Sequence, residues 1–165
     1  MIYPEQFESK IGFDRIRELL KGHCLFEPGR ERVSGMGFIS DLSTLSGDLL
    51  LVDEFRRICQ EEEEFPIHHF IDNREALKKA EVEGSYLLQE EVHGLVRSLD
   101  SVRAILHFFK NDEEEKYPAL KALCAPVKMF PFVLDRIAKV LNKHGQIRDN
   151  ASSTLQQIRR NQQEK

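Results

Sequence analysis

Three small groups of residues in this 165-residue chain are of types that could do chemistry. His68 and His69 are the closest pair of histidines, and imidazoles are common metal ligands. Adjacent residues point different ways on a helix or a strand, however, and no cysteine lies near them in sequence. The pair therefore reads as a surface or boundary feature, and no metal site is expected. His23 beside Cys24 has the composition of an activated thiol. Neighbours on a helix diverge by about 100°, which puts Cys24 in a core and His23 at its edge. The third group is basic. From Asn142 to Lys165, the cations Lys143, Arg148, Arg159, Arg160 and Lys165 face only Asp149 and Glu164. Lys143, Arg148, Arg159 and Arg160 are the candidate contacts to a nucleic-acid backbone. The tail has no interleaved aromatics of the kind that stack single-stranded bases, so weak, non-specific binding is expected of it.

Other marks of catalysis are missing. There is no phosphate-loop Gly-x-x-x-x-Gly-Lys-Ser/Thr, no dinucleotide glycine pattern, no His-Glu-x-x-His and no Gly-x-Ser-x-Gly. Carboxylates gather in runs, Glu61 to Glu64 and Asp112 to Glu115, each at the end of a predicted helix and suited to solvent. The residues therefore nominate no catalytic, cofactor-binding or metal-binding position. They describe a scaffold.

Composition agrees with that reading. A 41% apolar, 32% charged chain with net charge −4 is that of an ordinary globular protein of one-domain size. No apolar run approaches the roughly 20 residues of a membrane span. The start, Met-Ile-Tyr-Pro-Glu, lacks a secretion signal. Cys24, Cys59 and Cys124 are odd in number, far apart and set among apolar residues, as reduced core thiols would be. A cytoplasmic, membrane-free protein is expected.

The elements that must position any site are helices. Leu88, Val92, Leu95, Leu99, Val102, Leu106 and Phe109 alternate spacings of four and three, predicting one helix of roughly 34 Å to Lys110. Leu42, Leu45, Leu49, Val52, Phe55 and Cys59 predict a second, capped by Asp41 or Ser43, as its antiparallel partner. Shorter helices follow from Tyr3-Pro4, from a cap at Asp14, from Pro28, from a cap at Asn73 with Gly84 closing, from Pro118 and from Pro131. Phe13, Ile16, Leu19 and Leu20 are the expected buried face after Asp14; Leu77, Ala80 and Val82 that after Asn73. Asn142 to Asn150 reads as a surface turn. Ser153 with Gln156 is a capping-box pattern that opens a last, polar helix, too short to stand alone and expected to continue beyond Lys165.

Several stretches taken together carry a family resemblance: Phe13-Asp14-Arg15-Ile16-Arg17-Glu18-Leu19-Leu20, Glu54-Phe55-Arg56, Ala80-Glu81-Val82-Glu83-Gly84-Ser85-Tyr86-Leu87, and Ile147-Arg148-Asp149-Asn150-Ala151-Ser152 leading to Ile158-Arg159-Arg160. In this order and spacing the chain resembles the amino-terminal region of the second bacterial subfamily of MutS-like ATPases. Where members often have proline after Ala-Ser, this chain has Ser153, which leaves the cap intact. The resemblance implies an all-α core over residues 1–150 and, over 151–165, the start of a lever helix leading to a clamp outside this chain. It implies a non-catalytic segment of a DNA-binding protein of the mismatch-repair family. The ATPase domain, with its ATP and Mg, would lie outside the segment, would form the homodimer, and would often be followed by an Smr endonuclease domain. Branched DNA, with suppression of recombination, or the ribosome, with rescue of collided particles, would be the parent's target. The residues alone also allow a free-standing helical protein-interaction module.

Overall fold

The computed structural model describes residues 6–66, 70–112 and 115–163. Among these the fold is all-helical: α1 Phe7–Lys10, α2 Phe13–His23, α3 Glu27–Ser34, α4 Leu42–Glu61, α5 Arg74–Ala80, α6 Gln89–Lys110, α7 Pro118–Cys124, α8 Pro131–Val140 and α9 Ser153–Gln163. The one β-type pairing among them is an isolated antiparallel bridge between Leu141 and Ile147. The helices fall into two compact units, Met1–Phe65 with Phe108–Ala125, and Pro66–His107 with Pro126–Lys165.

In the first unit, α2 packs on α1 and α3, and α4 packs on α7. The matching stripes predict α6 as the partner of α4. Within the first unit α4 packs on the short α7, and a carboxylate joins the two. Glu54, 2% exposed, accepts from the amides of Ala119 at 3.0 Å and Leu120 at 2.8 Å. These are orphan donors of the first turn of α7, a site that favours negative charge. Ile58, fully buried one turn on, completes that face of α4. Leu42, Leu49 and Val52 on the predicted stripe are exposed, as is Cys59. The stripe expected inside thus points out, and the inward face carries a charge that apolar periodicity cannot register.

Beside Ile58, Phe65 makes edge contacts with Phe55, Phe108 and Phe109 at centroid distances of 5.8, 4.9 and 6.1 Å. Such edge-to-face pairs add to what ring burial alone contributes. The start of α4 is as expected: Asp41 Oδ2 accepts from the Thr44 amide at 2.7 Å. The start of α2 is not. Gly12, at φ 79°, holds the N-cap position without a side-chain bond, a left-handed conformation that suits glycine. Asp14 is the second residue of the helix, accepting from Ser9 and pairing with Arg17 at 2.7 Å. Arg17 also pairs with Glu8 and donates to the Met36 carbonyl, tying α1, α2 and the segment after α3 together. The expected buried face of α2 is largely open, with Ile16, Leu19 and Leu20 exposed.

In the second unit, the deepest positions of α6 are not its leucines. Gly94 and Ser101 are buried, whereas Leu95 and Leu99 are half-buried. Small residues let the strap before α5 approach: a Cβ at Gly94 would lie 3.4 Å from Asn73 Oδ1 and 3.6 Å from Ile71. Asn73 Nδ2 donates to Ser98 Oγ at 2.7 Å and to the Ile71 carbonyl at 3.1 Å. That leaves the capping of α5 to Asp72, whose Oδ1 accepts from the Arg74 amide at 3.1 Å. Ala76 is buried, and Leu77 and Val82 are exposed, reversing the expected face of α5. That helix ends at Ala80, and Gly84, at φ 78°, belongs to the turn beyond it. Glu91 reaches back to the Leu88 amide and pairs with Lys79 at 2.9 Å. Those two contacts hold its carboxyl below the usual range, the amide contributing more. α9 is capped one residue earlier than expected, by Ser152 Oγ accepting from the Leu155 amide at 3.2 Å.

Candidate functional site

The His68-His69 pair lies outside the described residues. Cys24 is half-buried and donates to the Leu20 carbonyl at 3.3 Å, and His23 is exposed. Burial pushes the Cys124 thiol up. Among the described residues no thiol forms a disulfide, and among them no group of three or more metal-ligating side chains lies together.

Two places concentrate polar groups. The first is Tyr117, 1% exposed, whose hydroxyl donates to Glu62 at 3.0 Å, with the Arg57 guanidinium 5.3 Å over its ring. Burial, then the bond to Glu62, pushes the phenol up to about 12. Each partner here is engaged, and the cluster is structural. A phenol whose folded pKa lies above its unfolded value of 10.0 contributes stability that is complete below about pH 10 and lost as pH rises through about 12. Urea midpoints measured between pH 9 and 12 are expected to fall less steeply for Tyr117→Phe than for the parent chain.

The second place is a groove in the other unit. Residues 140–148 fold back on themselves: the Arg148 amide donates to the Val140 carbonyl at 2.8 Å and the Asn142 amide to the Gln146 carbonyl at 2.8 Å. Asn142 Oδ1 accepts from the amides of His144 and Gln146 at 2.9 and 3.0 Å. The turn expected at the surface therefore has a pinned backbone. Gly145, at φ 77°, is buried beneath His93 of α6. A Cβ there would lie 2.5 Å from His93 Nδ1.

Around that contact lie three adjoining hollows of about 630, 390 and 300 Å³, with His93 and Arg97 in the walls of each. Lys143 lines the two larger ones, His144 the first and third, and Arg148 the second. Arg148 is fixed by its Nε donating to the Leu141 carbonyl at 3.1 Å. Glu90, Asp100 and Asp135 are the acids of these walls, and Asp100 pairs with Arg103 at 2.8 Å. Both ring nitrogens of His93 are buried and have no hydrogen-bond partner among the described residues.

Of the four basic residues singled out by sequence, the structure brings Lys143 and Arg148 together. Arg159 is paired with Asp149, and Arg160 is exposed on α9 and lines none of these hollows. His93, Arg97 and Gly145 were not legible as site residues. The left-handed turn at Gly145 is foreshadowed by Lys-His-Gly-Gln, but its seat on a histidine some 50 residues away has no local signal.

No family model matches the chain, and no solved structure matches it. Curated relatives do match. A protein of Thermomicrobium roseum named Endonuclease MutS2 is 29% identical over 156 residues, or 93% of this chain and 20% of that protein. Proteins of the same name from Fusobacterium nucleatum and Bacillus velezensis are each 27% identical, over 151 and 153 residues, covering 90% and 92% of this chain and 19% of each relative. The chain is similar to one segment of these MutS2 proteins. It spans about a fifth of the length of the MutS2 relatives it matches. The expected MutS2 resemblance thus stands over nine-tenths of the chain, and the all-α fold stands with it. None of the described helices is long and apolar enough to cross a membrane.

Proposed function

We propose that this chain is the non-catalytic helical core of a cytoplasmic MutS2-like DNA-acting protein, with α9 as the start of its lever. Its work is mechanical. It joins an ATPase domain, which binds ATP and Mg and forms the homodimer, to a clamp that engages branched DNA or a ribosome. The observation that carries the reading is similarity along nine-tenths of this chain to a fifth of proteins named Endonuclease MutS2. Two physical features support it. α4 and α6, of 20 and 22 residues, are rods of about 30 and 33 Å. The outward apolar residues Leu19, Leu42, Leu49 and Val52 suit a segment that packs against further protein.

The test is a chimera in which this chain replaces the matching segment of the Thermomicrobium roseum protein. It is expected to hydrolyse ATP and to change its turnover when branched DNA is added. Leu99→Ala in the chimera is expected to keep turnover and lose much of that response. A folded chimera whose DNA response is the same with and without the substitution would overturn the mechanical role. The same outward residues also fit a free-standing interaction module, which predicts instead a stable complex with a separate protein through the α4 face.

A further inference from the structure

We propose that the groove between α6 and the 140–148 turn binds a phosphate oxyanion. The inference rests on the second unit alone and does not depend on the MutS2 reading.

The walls argue for an anion. Lys143 and Arg148, with Arg97 and Arg103 of α6, stand against Glu90, Asp100 and Asp135, and Asp100 is already paired with Arg103. Lys143 forms no ion pair with any described residue and sits at the tip of a turn whose backbone is pinned by Asn142. Arg148 is oriented through its Nε, which leaves the outer edge of its guanidinium for a ligand. Placement of this kind lowers the ordering cost of binding.

His93 narrows the class. A neutral imidazole always carries one N–H, and a buried donor without a partner costs free energy. Gly145 lies against the ring without hydrogen-bonding either nitrogen. A ligand oxygen at the groove floor would satisfy that donor once the His93 ring turns toward the groove, while other oxygens meet Lys143 and Arg148. A carboxylate has two oxygens and cannot address so many separated donors at once. A tetrahedral phosphate has three or four, and Arg and Lys are its usual partners. The phosphate could belong to a nucleic-acid strand or to a free nucleotide, since the hollows are large enough for either group to enter.

The experiment uses the full 165-residue chain labelled with nitrogen-15. Inorganic phosphate is titrated against a chloride control at equal ionic strength. The expected result is a saturable shift confined to residues around His93, Arg97 and Lys143 to Arg148. Lys143→Gln is expected to weaken it about fivefold or more, the loss of one charge-assisted contact. Arg160→Gln, outside the groove, is expected to leave it unchanged. A thymidine oligonucleotide binding more tightly than adenosine diphosphate at the same residues identifies a strand as the source; the reverse order identifies a nucleotide. Shifts that chloride reproduces, or equal weakening by Lys143→Gln and Arg160→Gln, would overturn the proposal. If Lys143→Gln disturbs the fold, the phosphate-against-chloride comparison on the parent chain still decides it.

Discussion

Ile58→Ala is expected to lower unfolding free energy by about 2–5 kcal/mol, and Leu49→Ala by no more than about 0.5 kcal/mol. The two residues sit on one helix, separated by nine positions, and both are aliphatic. Ile58 is fully buried and Leu49 is 59% exposed. Removing three carbons, one methylene and two methyls, from a closed site forfeits their transfer free energy and leaves a cavity that the neighbours fill only in part. Removing the Leu49 side chain takes atoms out of water, and alanine is the better helix former. Urea melts of both variants measure the difference directly. Equal destabilisation would mean that α4 is turned with the leucine stripe inward, and the contact of Glu54 with α7 would then be wrong.

Gly145→Ala is expected to cost about 2–5 kcal/mol, from two separable sources. One is backbone: φ 77° is left-handed, and a residue with a Cβ pays about 1–2 kcal/mol there. The other is steric, since the added carbon would meet the His93 ring at 2.5–2.7 Å, with overpacking typically costing about 1–3 kcal/mol. His93→Ala removes the second source and leaves the first. The double variant is therefore expected to be more stable than the sum of the single losses, by about 1–2 kcal/mol in a double-mutant cycle. Strict additivity, measured by denaturant melts, would show that the turn does not rest on the imidazole.

Helix starts were readable because their causes are local. Asp41 caps α4 from three residues away, and Pro28, Pro118 and Pro131 sit in first turns where a missing N–H costs nothing. Helix faces were much less readable. A stripe such as Leu42, Leu45, Leu49 and Val52 says that an apolar surface exists, and not which element covers it. The inward face of α4 is set by Glu54 meeting amides 65 and 66 residues further on. On α6 the stripe's Phe109 is buried as its periodicity predicts, but Gly94 and Ser101 are buried too, positions that apolar periodicity scores as gaps although smallness at Gly94 is what lets the strap come near. The groove was half legible for the same reason. Charge marked Lys143 and Arg148, while the choice between them and Arg159 depended on where Asp149 sits.

Each compact unit is assembled from two stretches of chain, so the polypeptide passes from one to the other at residues 65–66, 107–108 and 125–126. An interleaved order has a genetic consequence. A single breakpoint at any of these three junctions leaves at least one unit incomplete, and no two-piece split yields both intact. A gene fusion that takes up only one side of such a junction is therefore expected to carry one of the units in part.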